Sequence, residues 1–226
     1  MRKSKLEIAC FNLESAIVAQ ANGADRIEFC AKRNAGGITP DLEIFKMVRH
    51  KVTIDLYVMI RPRSGDFVYS DFELEQMKAS IVMFKEAKAD GFVFGVLKAN
   101  GSVHQQQNCD LVALAKPLPC TFHRAFDEVE NTAEALESIL KCGFKTILTS
   151  GQAEHSVDRI EVLATLIKKA GNRIAIMPGG GLRSSNLELL KVKTGNRFYH
   201  SSAIVDSGEI ADGEEIQAIK ANLDCK

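Results

Sequence analysis

Short, mostly continuous apolar runs alternate with longer stretches of helical periodicity along the whole chain. Leu6 to Asn12 (LEIACFN) is the first such run, and Leu13, Ile17 and Ala21 follow at four-residue spacing, as on one face of a helix. Gly23 closes that helix, because a left-handed cap favours glycine, and Arg26 to Ala31 reads as the next strand. The unit then repeats. Asp55 to Arg63 is a strand ended by Pro62, and Asp71 to Ala89 is an amphipathic helix with a predicted stripe of Phe72, Met77, Ile81, Phe84 and Ala87. Further strands are expected at GFVFGVL, at FHRAFD, at TILTSG, at RIAIMPGGGL and at RFYHSSAIV. Eight runs separated by seven helical segments, with no strict polar alternation, describe parallel strands buried on both faces by a helical shell. The expectation is an α/β fold, a TIM (β/α)8 barrel, as a single domain over residues 1–226. Its last helix is short, Glu214 to Leu223. A doubly wound open sheet is the alternative.

Composition narrows the partners more than the fold. Apolar residues make up 46% of the 226 and charged residues 26%, which disfavours disorder and a membrane span. With 29 basic and 29 acidic residues the formal charge is zero, so neither nucleic acid nor an anionic membrane is the expected partner. Glu7 and Asn12 interrupt the apolar run that a signal peptide would need, and a cytoplasmic location is expected. The six cysteines, at 10, 30, 109, 120, 142 and 225, form no C-x-x-C pair and are read as free thiols.

The chemistry gathers around Pro119 to Glu128, PCTFHRAFDE, at the carboxyl end of a strand, where a barrel presents its reacting groups. His123 is the candidate general acid or base, since imidazole titrates near neutrality. Arg61 shares a strand face with Tyr57 and Met59 and offers a fork of donors for a carboxylate or phosphate. Asp127 is placed to pair with an arginine or to orient His123. Glu28 is a carboxylate within an apolar strand, and Arg61 on the next strand is its expected partner. Gly179, Gly180 and Gly181 after the seventh strand, with Ser201 and Ser202 after the eighth, suit an anion site built on backbone N–H groups.

His200 is a further mouth residue, whereas His50, His104 and His155 look like surface. No lysine stands at an inward strand position, so Schiff-base chemistry is not expected. No His/Asp/Glu cluster has the spacing of a hydrolytic metal site. As catalytic residues, Glu28, Arg61, His123 and Asp127 suit proton transfer beside a carbonyl, or carbon–carbon cleavage, on a small phosphorylated or carboxylated substrate. A network that merely satisfies itself, or a non-catalytic anion-binding oligomer, uses the same residues.

Longer strings carry a resemblance. IEFCA with Gly36 to Pro40, VMIRPRSGDFVYSD, DGFVFGVL, LPCTFHRAFD, ILTSG and MPGGG, in this order, resemble the CutC copper homeostasis family from about Leu6 to Ala203. The resemblance implies a TIM barrel, a cytosolic homo-oligomer, and a role in binding or handling copper, with Cys10 and Cys30 as a proposed Cu(I) ligand pair. Soft Cu(I) suits thiolate and thioether ligands, and Met59 and Met177 are accessory candidates. Strand parity bears on the pair: if Glu7 and Glu28 point inward, Cys30 does too, and Cys10 points outward. Two small buried hydrophobes is the other reading of these cysteines.

Overall fold

The computed structural model describes residues 4–224 and places eight parallel strands inside eight helices. The strands are β1 Lys5–Cys10, β2 Arg26–Phe29, β3 Asp55–Met59, β4 Gly91–Phe94, β5 Cys120–Phe122, β6 Thr146–Thr149, β7 Ala175–Pro178 and β8 Phe198–Ser201. The helices are α1 Leu13–Ala21, α2 Leu42–Lys51, α3 Asp71–Glu86, α4 Gln105–Ala115, α5 Thr132–Cys142, α6 Ile160–Ala170, α7 Ser184–Thr194 and α8 Gly213–Asp224. Strand order runs β7-β6-β5-β4-β3-β2-β1-β8, with β1 pairing parallel to β8, so the sheet curls almost into a closed TIM barrel. A doubly wound sheet would reverse its order partway, and this one never does.

Local chemistry sets the element ends. Asn12, Asp41, Ser70 and Asn131 each accept a backbone N–H at a helix N-terminus, and Ser70 with Glu73 completes a reciprocal capping box. The expected FHRAFD strand stops at Phe122. The His123 imidazole accepts the Ala125 N–H, and Arg124–Glu128 turn into a tight 3₁₀ segment. The predicted stripe of α3 is also corrected. Leu74, Met77, Ile81 and Phe84 are buried, but Phe72 is 72% exposed because it sits on the opposite side of the first turn. The last helix extends one residue beyond its predicted bounds at each end, and Ile216, Ile219 and Leu223 seat it on the core.

The main apolar core lies between strands and helices. Leu6, Ile8 and Cys10 of β1, Ile27 and Phe29 of β2, and Leu56 and Val58 of β3 all point into it. The alternate residues line the barrel interior, which carries buried Glu7, Arg26, Glu28 and Thr121. Two of the six cysteines depart from the free-thiol expectation: Cys109 in α4 and Cys142 at the end of α5 form a disulfide, their Cα atoms 4.3 Å apart. Neighbouring helices of the shell bring them together, a proximity that spacing in the chain does not encode. Cys10, Cys30 and Cys120 are free, and Cys225 lies outside the described residues.

Candidate active site at the barrel mouth

Charged side chains occupy the interior in two tiers. The lower tier is closed on itself. Arg26 donates from Nε to Glu7 and lies between the rings of Tyr57 and Phe198, at 4.0 and 4.5 Å from their centroids. Its terminal nitrogen reaches the Met177 sulfur at 3.7 Å. The other Glu7 oxygen is 2.6 Å from His200 Nδ1. Burial alone would raise the Glu7 pKa, but the Arg26 cation and His200 outweigh it and hold the carboxyl below its ordinary range. Burial would likewise discharge His200, yet Glu28 and Glu7 raise its pKa.

The upper tier opens into a cavity of about 220 Å³ at the carboxyl ends of the strands. Glu28, Cys30, Met59, Arg61, His123 and Arg124 line one part of it, and Gly180, Gly181, Arg183, His200, Ser201 and Ser202 another. Three arginines and two histidines share this lining with a single acidic residue, Glu28. Glu28 is 3% exposed and its Oε1 has no hydrogen-bond partner among the described residues. Its other oxygen is 3.6 Å from Cys30 Sγ and 3.9 Å from His200 Nε2. Burial is the main cause that lifts the Glu28 pKa to about 7. Among the described residues four more buried atoms share its condition: His123 Nε2 and Arg61 Nε, which belong to residues lining the cavity, and Tyr69 Oη and Thr121 Oγ1.

Several expected pairings are replaced by others. Arg61 does not pair with Glu28: its terminal nitrogens donate to the carbonyls of Ala35, Gly37 and Gly65, and it stacks 4.7 Å above Phe67, which fixes two mouth loops. Asp127 leaves His123 alone. It takes Arg124 Nε at 2.8 Å and accepts from Thr149, Ser150 and Gln152, tying the loop after β6 to the turn after β5. His123 is pushed down to about 3, first by burial and then by the Arg61 charge, so it is neutral throughout the physiological range. Gly179 gives its N–H to Thr149, whereas Gly180 and Gly181 line the cavity at φ of +99° and +64°. A Cβ on Gly181 would fall 2.3 Å from the His155 ring, so glycine alone fits there.

Sequence reasoning passed over Arg26 and Arg183, placed His200 at the mouth without a chemical role, and gave Glu7 no role in the site. Charged residues at inward parity in LEIACFN and RIEFC were the available signal for Glu7 and Arg26. The fold also brings Glu7, Glu28 and His200 within 4.8 Å of one another, a cluster that chain spacing did not suggest. Both Glu7 oxygens are already engaged by Arg26 and His200.

The two proposed copper ligands stand on opposite faces of the barrel wall. Cys10 packs with Leu6 and Ile8 under the helices, its sulfur 3.7 Å from the Ile8 carbonyl. Cys30 lies inside with Tyr57, Met59 and Val93. Burial, reinforced by the Glu28 charge, raises both thiol pKa values, so neither is a ready thiolate.

A nearly closed ring of eight parallel strands inside eight helices, with a cavity and buried ionisable groups at its mouth, defines the class as a TIM barrel. Residues 4–205 match the family model described as the CutC family. The human protein named copper homeostasis protein cutC homolog is 41% identical over 222 residues, covering 97% of this chain and 81% of its own. Its mouse counterpart is 43% identical over 198 residues, covering 88% and 73%. A crystal structure of CutC from Streptococcus agalactiae superposes with a TM-score of 0.84 at 30% identity, covering 88% of this chain and 98% of that one. The chain belongs to the CutC family.

Proposed function

We propose that the chain binds a small phosphorylated or carboxylated molecule in the mouth cavity and acts on it by proton transfer, with Glu28 as the group that changes ionisation. The observation that carries this reading is Glu28, whose Oε1 is buried without a partner among the described residues and whose side chain lines the cavity with Arg61, Arg124 and Arg183. A carboxylic acid held near neutrality can both take and give a proton at working pH. The cavity is smaller than the roughly 300–1,000 Å³ of drug-sized sites, which restricts the substrate to a few carbons. Gly180, Gly181 and Ser202 with Arg183 supply the anion subsite, and Arg61 sets the potential while holding the loops. The test is a thermal shift with inorganic phosphate, 2-phosphoglycolate and short carboxylates on wild type and Arg183→Ala. Wild type should be stabilised and the variant much less so. Equal shifts, or none, would remove the anion site.

Copper handling is the second reading, supported by the names of the human and mouse relatives and by the inward Cys30. Its sulfur and the Met59 methyl both pack against Gly37, so two soft donors neighbour each other inside the cavity. If Cu(I) is cargo held by the Cys10 and Cys30 pair, Cys10→Ser and Cys30→Ser should each abolish tight binding in an anaerobic chelator competition. If it is held on the inner face, only Cys30→Ser and Met59→Leu should. Cytoplasmic residence and self-association belong to the same family reading. Among the described residues no helix is long and apolar enough to cross a membrane, and Phe72, Val192 and Met47 leave apolar surface exposed.

A further inference from the structure

Two of the orphaned atoms at the cavity, on His123 and Glu28, differ in what they can do. Ala125 N–H can only donate, and its acceptor is His123 Nδ1 at 3.2 Å. The Nδ1 lone pair is therefore occupied, and a neutral imidazole must carry its hydrogen on Nε2, the buried atom that lacks an acceptor. The ring is clamped in this state. Phe67 packs 4.7 Å away, and a Cβ at Gly95 would come within 2.9 Å of Nδ1. His123, which lines the cavity, is thus a fixed neutral donor whose Nε2–H is buried and has no acceptor among the described residues, rather than the acid or base expected from sequence. Glu28, across the same cavity, presents an oxygen that lacks a donor. A donor without an acceptor and a base without a proton are what a carbonyl with an acidic neighbouring C–H would satisfy together.

Resting on the anion-binding, proton-transfer reading above, we propose that the cavity catalyses reversible enolisation of a small carbonyl compound bearing a phosphate or carboxylate, with Glu28 as base and His123 Nε2–H as electrophile. Glu28 takes the proton from the carbon beside the carbonyl. The C–H electron pair becomes the new C=C bond, and the carbonyl π pair moves to oxygen, where the His123 N–H stabilises it. The proton held on Glu28 exchanges with solvent, and Glu28 returns a proton to carbon as the oxygen pair re-forms the carbonyl, so no oxidant or co-reactant is needed. A preorganised donor of this kind costs no reorganisation as charge develops on oxygen. His200, anchored by Glu7 and 3.9 Å from Glu28 Oε2, is a positioning residue that keeps the carboxyl aimed at the cavity.

The test follows deuterium incorporation from D₂O by NMR into dihydroxyacetone phosphate and, separately, 2-oxobutyrate, with binding of each probe measured in parallel. Wild type should exchange at least one probe well above the protein-free rate. Glu28→Gln should bind that probe but lose exchange, and His123→Leu should bind it with exchange reduced about 100- to 1,000-fold. The responding probe identifies the anionic end. Binding without exchange overturns enolisation and leaves the anion reading in place, whereas failure of both probes to bind overturns both. Independently, ¹⁵N-labelled His123 should hold the neutral Nε2–H form from pH 5 to 8. A hydrogen on Nδ1, or titration near 6.5, overturns the assignment.

Discussion

The two tiers of the barrel interior are built from the same residue types and are finished differently. In the lower tier Arg26 and His200 both pair with Glu7, and Tyr57, Phe198 and Met177 pack against the guanidinium. In the upper tier Glu28, His123 and Arg61 each keep a buried polar atom without a partner among the described residues. Unpaired buried polar groups cost free energy, and on the proposed reading a bound ligand would satisfy these atoms. On that proposed reading, the paired tier serves stability and the unpaired tier serves chemistry.

Breaking the lower tier should have the largest effect. Glu7→Leu strands Arg26 in a buried site and should cost about 3–5 kcal/mol in urea unfolding, while adding Arg26→Met should recover most of that loss. A single-variant cost under about 1 kcal/mol would mean that the pair carries little.

Glu28 sharpens the contrast through pH. Its pKa is raised from 4.5 to about 7 in the folded protein, so between these values the folded state keeps a proton that the unfolded chain releases. The associated stability is therefore complete below pH 4.5 and is lost as pH rises through 7, on the order of 3 kcal/mol. Glu28→Gln should flatten that limb of the stability profile, and an unchanged slope would contradict the placement. His123 has the opposite sign. Its pKa falls from 6.5 to about 3, so the unfolded chain gains a proton first and stability is lost as pH falls below 6.5. From pH 7 to 5 this amounts to about 2 kcal/mol, and His123→Leu should remove it from the acid limb. Phe72→Ser, on the outer surface, should change monomer stability by no more than about 0.5 kcal/mol.

The barrel could be read from the chain because strand-length apolar runs and helical stripes report burial directly. Parity placed Glu28 and Cys30 inside and Cys10 outside, since side chains alternate along a strand whatever the sheet does next. Pairings across the barrel were not legible. Glu7 and His200 lie 193 residues apart and meet only because β8 returns beside β1. Arg61 looked like a partner for Glu28 from strand adjacency, but the carbonyls that claim it belong to loops whose path no periodicity records. The tautomer of His123 depends on one backbone N–H in a turn that the sequence reads as strand.

The most direct test of the central claim is the ionisation of Glu28 itself, followed by ¹³C NMR of carboxyl-labelled glutamate with Glu28→Gln to assign the resonance. The account predicts a titration centred near 7 that shifts when 2-phosphoglycolate is added. A midpoint near the ordinary 4.5, indifferent to the ligand, would contradict it.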